Sequence, residues 1–141
     1  MRQLLLRAAR IVNRHVVEGL HARGYTNLRS THTTLLSNMP LAGGTITETA
    51  ERAGVTKQAL GRLAAELEAA GYIRMTGDPA DGRARMLELT EAGSRLMRDS
   101  LEVMNDLEQR YAELIGRDRL RSVVDGLQIF NEAAGGQART S

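Results

Sequence analysis

Two helix-start signals lie close together in the middle of the chain, and they constrain its fold more than any other feature. Thr45 and Glu48 form the pattern TxxE, in which the threonine hydroxyl accepts an amide hydrogen bond and the glutamate reaches back to the cap amide. Thr56 is placed to cap a second helix, and Gly54 lies between the two signals. The pattern predicts two helices joined by a tight turn, which is a helix-turn-helix.

The second helix of this pair is predicted to bury one apolar line: Leu60, Leu63, Leu67 and Ala70. Gly71 follows at the position where a left-handed residue ends a helix, and Tyr72 is expected to pack back on Leu67. Residues 73–76 and 86–89 then alternate apolar with polar side chains around a turn-rich segment that contains Pro79. A β-hairpin directly after the second helix is predicted, and such a hairpin is a wing.

Helical patterns also flank this region. We predict an amphipathic helix over residues 4–20, a weaker one over 28–39, a break at 40–44, a long helix that Thr90 caps, and a last helix beyond Gly116. Aromatic residues make up only 3% of the chain, so its core must be aliphatic, which suits helices better than sheets. The fold class predicted is mainly α, with about six helices and a hairpin wing.

Several functional classes are excluded or disfavoured. The chain has no Cys, which rules out disulfides, Cys-based zinc sites and thiol chemistry. It contains no P-loop, GxGxxG, HExxH or GxSxG motif, so we expect no enzyme, no catalytic residues, no cofactor and no metal site. The N-terminal apolar run is soon interrupted by Arg7 and Arg10, which favours a cytoplasmic protein without a membrane partner.

The formal charge of +2 is too small to indicate nucleic-acid binding, so that hypothesis depends on local placement. A helix that reads DNA presents polar side chains in its N-terminal half. Gln58 and Arg62 are the predicted base contacts, while Thr56 and Lys57 are better placed for phosphates. Gly61 suggests close approach to DNA or to a neighbouring element, although a local packing accident explains it equally well.

The predicted wing carries three arginines, Arg74, Arg83 and Arg85. An arginine at a hairpin tip suits a narrow minor groove, and Arg83 is the predicted inserted residue. The alternative is an ordinary surface hairpin in which Asp81 and Arg83 form a solvated ion pair.

With these residues in place, the chain resembles the MarR family of bacterial regulators. The matching stretches are TITETAERAGVTKQALGRLAAELEAAGYI, residues 45–73, and DPADGRARMLELTEAG, residues 78–93. The resemblance implies DNA contacts from Lys57, Gln58, Ala59, Gly61 and Arg62, and a wing in which Asp81 braces Arg83. Gly82 departs from the family, which often has Arg there, and Thr49 and Ala53 stand where Leu is frequent.

The resemblance also implies how the chain is organised. We expect a single domain over residues 1–134, with dimerisation helices at about 1–24 and 91–134, a DNA-binding winged helix at about 28–90, and a flexible tail at 135–141. The partners implied are double-stranded DNA, a second copy of the chain and a phenolic or anionic small-molecule effector. His15 and His32 are weak candidates for the effector contact, the alternative being satisfied core histidines.

The function expected from these observations is a ligand-responsive homodimeric repressor of a pseudo-palindromic operator. The alternative is a winged-helix interaction or dimerisation module that does not bind DNA.

Overall fold

The computed structural model describes residues 1–77 and 85–137, and over these residues the chain forms six helices and one small sheet. The elements in order are α1 (Arg2–Ala22), α2 (Ser30–Asn38), β1 (Gly44–Thr45), α3 (Ile46–Ala53), α4 (Lys57–Ala69), β2 (Ile73–Gly77), β3 (Arg85–Leu89), α5 (Glu91–Ile115) and α6 (Arg117–Gln137). The mainly α fold with a β-hairpin after the second helix of the pair is thereby confirmed.

The sheet has one strand that the sequence analysis did not predict. β1 pairs antiparallel with β3, with Gly44 opposite Leu87 and Thr45 opposite Met86, so the strand order is β1-β3-β2. The segment 40–44 was predicted as a break only, because a two-residue strand is too short to show alternation. Its pairing depends on β3, which lies far away in the sequence.

Helix ends differ from the predictions by a few residues. α1 begins at Arg2 and α2 ends at Asn38, and α6 continues to Gln137 although a flexible tail was predicted from residue 135. Helix ends are the least certain part of a sequence-based assignment, since terminal turns carry little periodicity.

The chain divides into two compact units, Met1–Val103 and Met104–Ser141. The core of the first unit is aliphatic, as expected. Its largest fully buried side chains are Leu20, Leu28, Leu35, Leu60, Leu67, Ile73, Leu87 and Leu96, with Thr49 among them. These residues come from α1, α2, α3, α4, both hairpin strands, α5 and the segment before α2, so one core holds the helix pair and the wing together.

A close backbone contact joins the end of α4 to the start of α5. Thr90 donates from its hydroxyl to the Gly71 carbonyl at 2.6 Å and from its amide to the Tyr72 carbonyl at 3.1 Å. The same hydroxyl accepts from the Gly93 amide at 3.1 Å, so Thr90 caps α5 as predicted. A Cβ at Gly93 would lie 1.9 Å from the Tyr72 carbonyl oxygen, which explains why only glycine fits in this first turn.

The second unit contains a turn at Gly116, whose φ is +93°, and an open groove of about 490 Å³ lined by residues of α5 and α6. Helix α6 exposes a set of large apolar side chains: Val123, Val124, Leu127, Ile129 and Phe130. No helix among the described residues combines the length and apolar character that a membrane crossing requires.

Candidate nucleic-acid interface

The turn between α3 and α4 has the geometry that the two helix-start signals predict. The Thr45 hydroxyl accepts from the Glu48 amide at 3.1 Å, and Glu48 accepts in return from the Thr45 amide at 3.4 Å. Gly54 ends α3 with a φ of +68°, in the left-handed region. The Thr56 hydroxyl then accepts from the Ala59 amide at 3.1 Å and begins α4. The helix-turn-helix is therefore set by local capping.

Helix α4 buries Leu60, Ala64 and Leu67, while Leu63 is half-buried and Ala70 is exposed. The predicted buried line was therefore wrong at Ala70, which lies outside the helix at its C-cap, and it missed Ala64. The buried positions follow the steps of four and three that a 3.6-residue repeat requires.

The opposite face of α4 is open at its N-terminal half. Thr56, Lys57, Gln58, Ala59 and Arg62 are all exposed, and Gly61 is half-buried. Within residues 1–77 and 85–137, the side chains of Lys57, Gln58 and Arg62 form no hydrogen bond or ion pair. A Cβ at Gly61 would meet no atom within 4 Å, so packing against a described element does not account for this glycine. The structure thus brings together the sequence-predicted residues of this helix on one accessible surface.

The two acidic residues of α4 are held by neighbouring elements. Glu68 accepts from the Met75 amide at 2.6 Å. Because β2 is an edge strand of the sheet, no further strand can accept a hydrogen bond from the Met75 amide. The Glu68 carboxylate accepts it instead. The contact fastens the C-terminal half of α4 to the wing.

Glu66 is held on another side of α4 by the start of α2. Its Oε2 atom lies 2.7 Å from the Nε2 atom of His32 and also pairs with the guanidinium of Arg29. The hydrogen bond from His32 first, and then that from Arg29, lower the pKa of Glu66 below its ordinary value. Sequence reasoning missed this cluster because Arg29 and Glu66 are distant in the chain and share no local pattern.

His32 itself is buried, and both of its ring nitrogens are engaged. Nδ1 accepts from the Arg29 amide at 3.0 Å, so the ring proton of the neutral imidazole belongs on Nε2, which points at Glu66. Both ring nitrogens therefore have partners within the protein, and an effector contact from His32 stays a prediction. His15, the other weak candidate, is half-buried on α1 and also has an interaction partner.

The hairpin separates two of the three predicted wing arginines. Arg74 lies opposite Glu88, and the Arg74 Nε atom is 3.8 Å from the Glu88 carboxylate. Arg85 lies opposite Gly77, three strand positions from that pairing, so it shares the face of Met75 and Leu87. Since successive strand residues point to opposite faces, Arg74 and Arg85 lie on different sides of the sheet. Asp81 and Arg83 fall outside the described residues.

A second polar cluster lies where the turn after α1 meets α5. The Tyr25 hydroxyl donates to Asp99 at 2.5 Å, and the Tyr25 ring lies 6.1 Å from that of Tyr72. The hydrogen bond to Asp99, with burial as a smaller contribution, raises the pKa of Tyr25. Tyr72 was predicted to pack on Leu67; its amide does donate to the Leu67 carbonyl at 3.0 Å, but its hydroxyl donates to Asn27 at 3.3 Å.

Among residues 1–77 and 85–137, no group of three or more His, Cys, Asp or Glu side chains is arranged so that it could hold a metal ion.

The comparisons with known proteins concern both sequence and fold. A sequence profile described as MarR family matches residues 34–84. The chain is similar to a MarR family transcriptional regulator from Rhodococcus sp. RHA1, with 28% identity, a TM-score of 0.73 and coverage of 89% of this chain and 87% of that one. The comparison with curated proteins finds no significant match.

Two further solved structures carry ligands. CouR from Rhodococcus jostii RHA1, bound to p-coumaroyl-CoA, is 28% identical with a TM-score of 0.68, and the alignment covers 89% of this chain and 87% of CouR. Sco3205 from Streptomyces coelicolor, in complex with DNA, is 22% identical with a TM-score of 0.69, and covers 94% of this chain and 87% of that one. At 22% identity, the similarity to Sco3205 supports a shared fold and nothing more specific.

Proposed function

We propose that this chain, which is similar to MarR family transcriptional regulators, acts as a homodimeric repressor of a pseudo-palindromic operator. The observation that carries the proposal is the N-terminal half of α4, where Lys57, Gln58 and Arg62 are exposed and form no ion pair within the described residues. Both acids of this helix are tied to other elements. A helix end so arranged presents positive charge and polar donors to a major groove.

In this proposal each side chain of the interface has its own task. Gln58 reads an adenine edge and Arg62 a guanine edge, since both can form paired hydrogen bonds with those bases. Thr56 and Lys57 hold phosphates at the helix start, and Ala59 and Gly61 allow the backbone to come close. Arg83, braced by Asp81, enters the minor groove, with Arg85 supporting it from the strand face that it shares with Leu87.

A second copy of the chain supplies the second reader. Each unit has exposed apolar side chains that we expect a dimer to bury: Leu4, Leu5 and Leu6 of α1 in the first unit, and those of α6 in the second. Two-fold symmetry then places two recognition helices roughly 34–36 Å apart, in successive major grooves of one DNA face.

An effector is proposed by analogy with ligand-bound relatives. CouR binds p-coumaroyl-CoA, and BpsR of Bordetella bronchiseptica, a fold neighbour, is regulated by 6-hydroxynicotinic acid. We propose that a phenolic or anionic aromatic molecule releases this chain from DNA. Aromatic carboxylic acids and their CoA thioesters are the first compounds to test, with loss of DNA retardation as the signal.

Selection of bound duplexes from a random pool tests the central claim. We expect two half-sites in inverted repeat, binding that weakens steeply with salt, and a loss of about tenfold or more in Arg62→Ala. Arg98→Ala is the matched control, because Arg98 is an exposed arginine of α5 outside the proposed interface. Failure to recover any common sequence would favour the alternative, an interaction module without DNA binding.

A further inference from the structure

Helix α4 contains an acidic side chain, Glu66, that could compete with DNA for Arg62. Gln58, Arg62 and Glu66 follow one another at intervals of four, so they form one stripe of the helix. Side chains four residues apart have Cβ atoms about 5–6 Å from each other, within reach of an ion pair. A pair between Glu66 and Arg62 would occupy the guanidinium donors that a guanine edge requires.

In the structure, the Glu66 carboxylate binds two side chains other than Arg62. Oε2 of Glu66 is 2.7 Å from Nε2 of His32, and the Arg29 guanidinium binds the same oxygen. Arg62 has neither a hydrogen bond nor an ion pair to any of the described residues. The competing pair is therefore not formed, and both groups that prevent it come from the start of α2.

His32 is suited to hold this carboxylate firmly. Its side chain is only 7% exposed, whereas that of Arg29 is 61% exposed, so the arginine pair alone would be weak. The Arg29 amide, bound to Nδ1 at 3.0 Å, fixes the ring and leaves Nε2–H directed at Glu66. A buried, oriented donor loses little conformational entropy when it binds an acceptor.

We propose that His32 and Arg29 are positioning residues for DNA reading, which hold the Glu66 carboxylate away from Arg62 and keep that guanidinium available to a base. The inference rests on the proposed function, because it requires Arg62 to contact DNA. His32 and Arg29 themselves need not touch the duplex.

The test removes both partners of Glu66 and then removes its charge. The variant Arg29→Ala/His32→Asn frees the carboxylate, while the asparagine amide oxygen can still accept the amide of residue 29 and cap α2. Affinity is measured by titration with the duplex recovered from the random pool, at fixed salt. We expect the double variant to bind about twofold more weakly, the scale of an exposed ion pair between side chains four residues apart.

Adding Glu66→Gln to the double variant should restore the full affinity of the original protein, because a neutral amide does not hold Arg62 in an ion pair. In the double variant, Arg62→Ala should weaken binding by a smaller factor than it does in the original protein. A purely structural role of His32 predicts neither result, since a folding defect would persist after Glu66→Gln. Urea unfolding of each variant reports that defect separately.

Unchanged affinity in the double variant, or a loss that Glu66→Gln does not restore, overturns the inference. Both results leave the proposed function intact as long as the original protein selects a sequence and Arg62→Ala weakens binding. If the original protein selects no sequence at all, it is the proposed function that fails.

Discussion

Among single residues, Glu66 has a pKa that folding shifts in a direction that experiment can check. His32 and Arg29 lower its pKa from the ordinary value of 4.5, so the folded state favours the carboxylate. A lowered pKa stabilises the protein fully above the pKa of the unfolded chain, and this stabilisation is lost as the pH falls through the folded value. We expect the free energy of unfolding to fall below about pH 5, and to fall less steeply in Glu66→Gln.

Urea unfolding at a series of pH values checks this expectation. Glu113→Gln is the control, because Glu113 is exposed on α5 and the structure gives it no ion pair within the described residues. Equal acid sensitivity of the original protein and Glu66→Gln would contradict the role given to the cluster.

Tyr25 provides the corresponding prediction at high pH. Its hydrogen bond to Asp99, with burial, raises the pKa of the phenol above 10.0, so the folded state favours the protonated form. This stabilisation is complete below the unfolded pKa and disappears as the pH rises through the folded value. Tyr25→Phe should lose about 1 kcal/mol at neutral pH and show a smaller further loss above pH 10.

Thermal unfolding between neutral pH and about pH 11 measures both effects of Tyr25→Phe. Tyr111→Phe is the comparison, since it removes another phenol from the same chain. The assignment fails if the two variants respond to alkali alike.

At the scale of elements, the joint between α4 and α5 is the most constrained contact. A methyl group at Gly93 would lie 1.9 Å from the Tyr72 carbonyl oxygen, so Gly93→Ala must displace α5 or the end of α4. We expect a loss of about 3 kcal/mol in the free energy of unfolding, the scale of an overpacked core.

Gly61→Ala is the matched control for this helix-glycine substitution. A Cβ there meets no atom within 4 Å, so alanine should stabilise α4 by about 1 kcal/mol through its helix propensity. The free energies of unfolding of Gly93→Ala and Gly61→Ala, measured with urea, should therefore change in opposite directions. If Gly61→Ala is more stable yet binds DNA less tightly, the glycine serves close approach to the duplex.

At the scale of the whole molecule, the exposed apolar side chains of α6 predict self-association. Phe130 is 52% exposed, and Phe130→Ser should raise the dissociation constant of a dimer about tenfold or more without weakening the folded monomer. Leu41→Ser is the control, because Leu41 is 74% exposed in the segment before β1 and is not one of the residues proposed for the dimer surface. Sedimentation equilibrium measures the dissociation constant of the dimer. An unchanged constant for Phe130→Ser would exclude the exposed apolar side chains of α6 as the dimer surface.

The sequence alone determined the elements whose signals are local. Capping by Thr45, Thr56 and Thr90, and the left-handed glycines at the helix ends, depend on neighbours within a few residues. The helix pair, the hairpin and the exposed polar residues at the start of α4 could therefore be predicted. So could the aliphatic core, because composition leaves no other choice.

Tertiary structure alone decided which distant groups meet. The strand β1, the hold of His32 and Arg29 on Glu66, and the contact of Tyr25 with Asp99 each join residues that no periodicity relates. The same holds for Arg74 and Arg85, whose separation follows from the register of the hairpin. Hydrogen bonds and ion pairs act over a few ångströms in space, whatever the distance along the chain, and only the packed core brings these groups within that range.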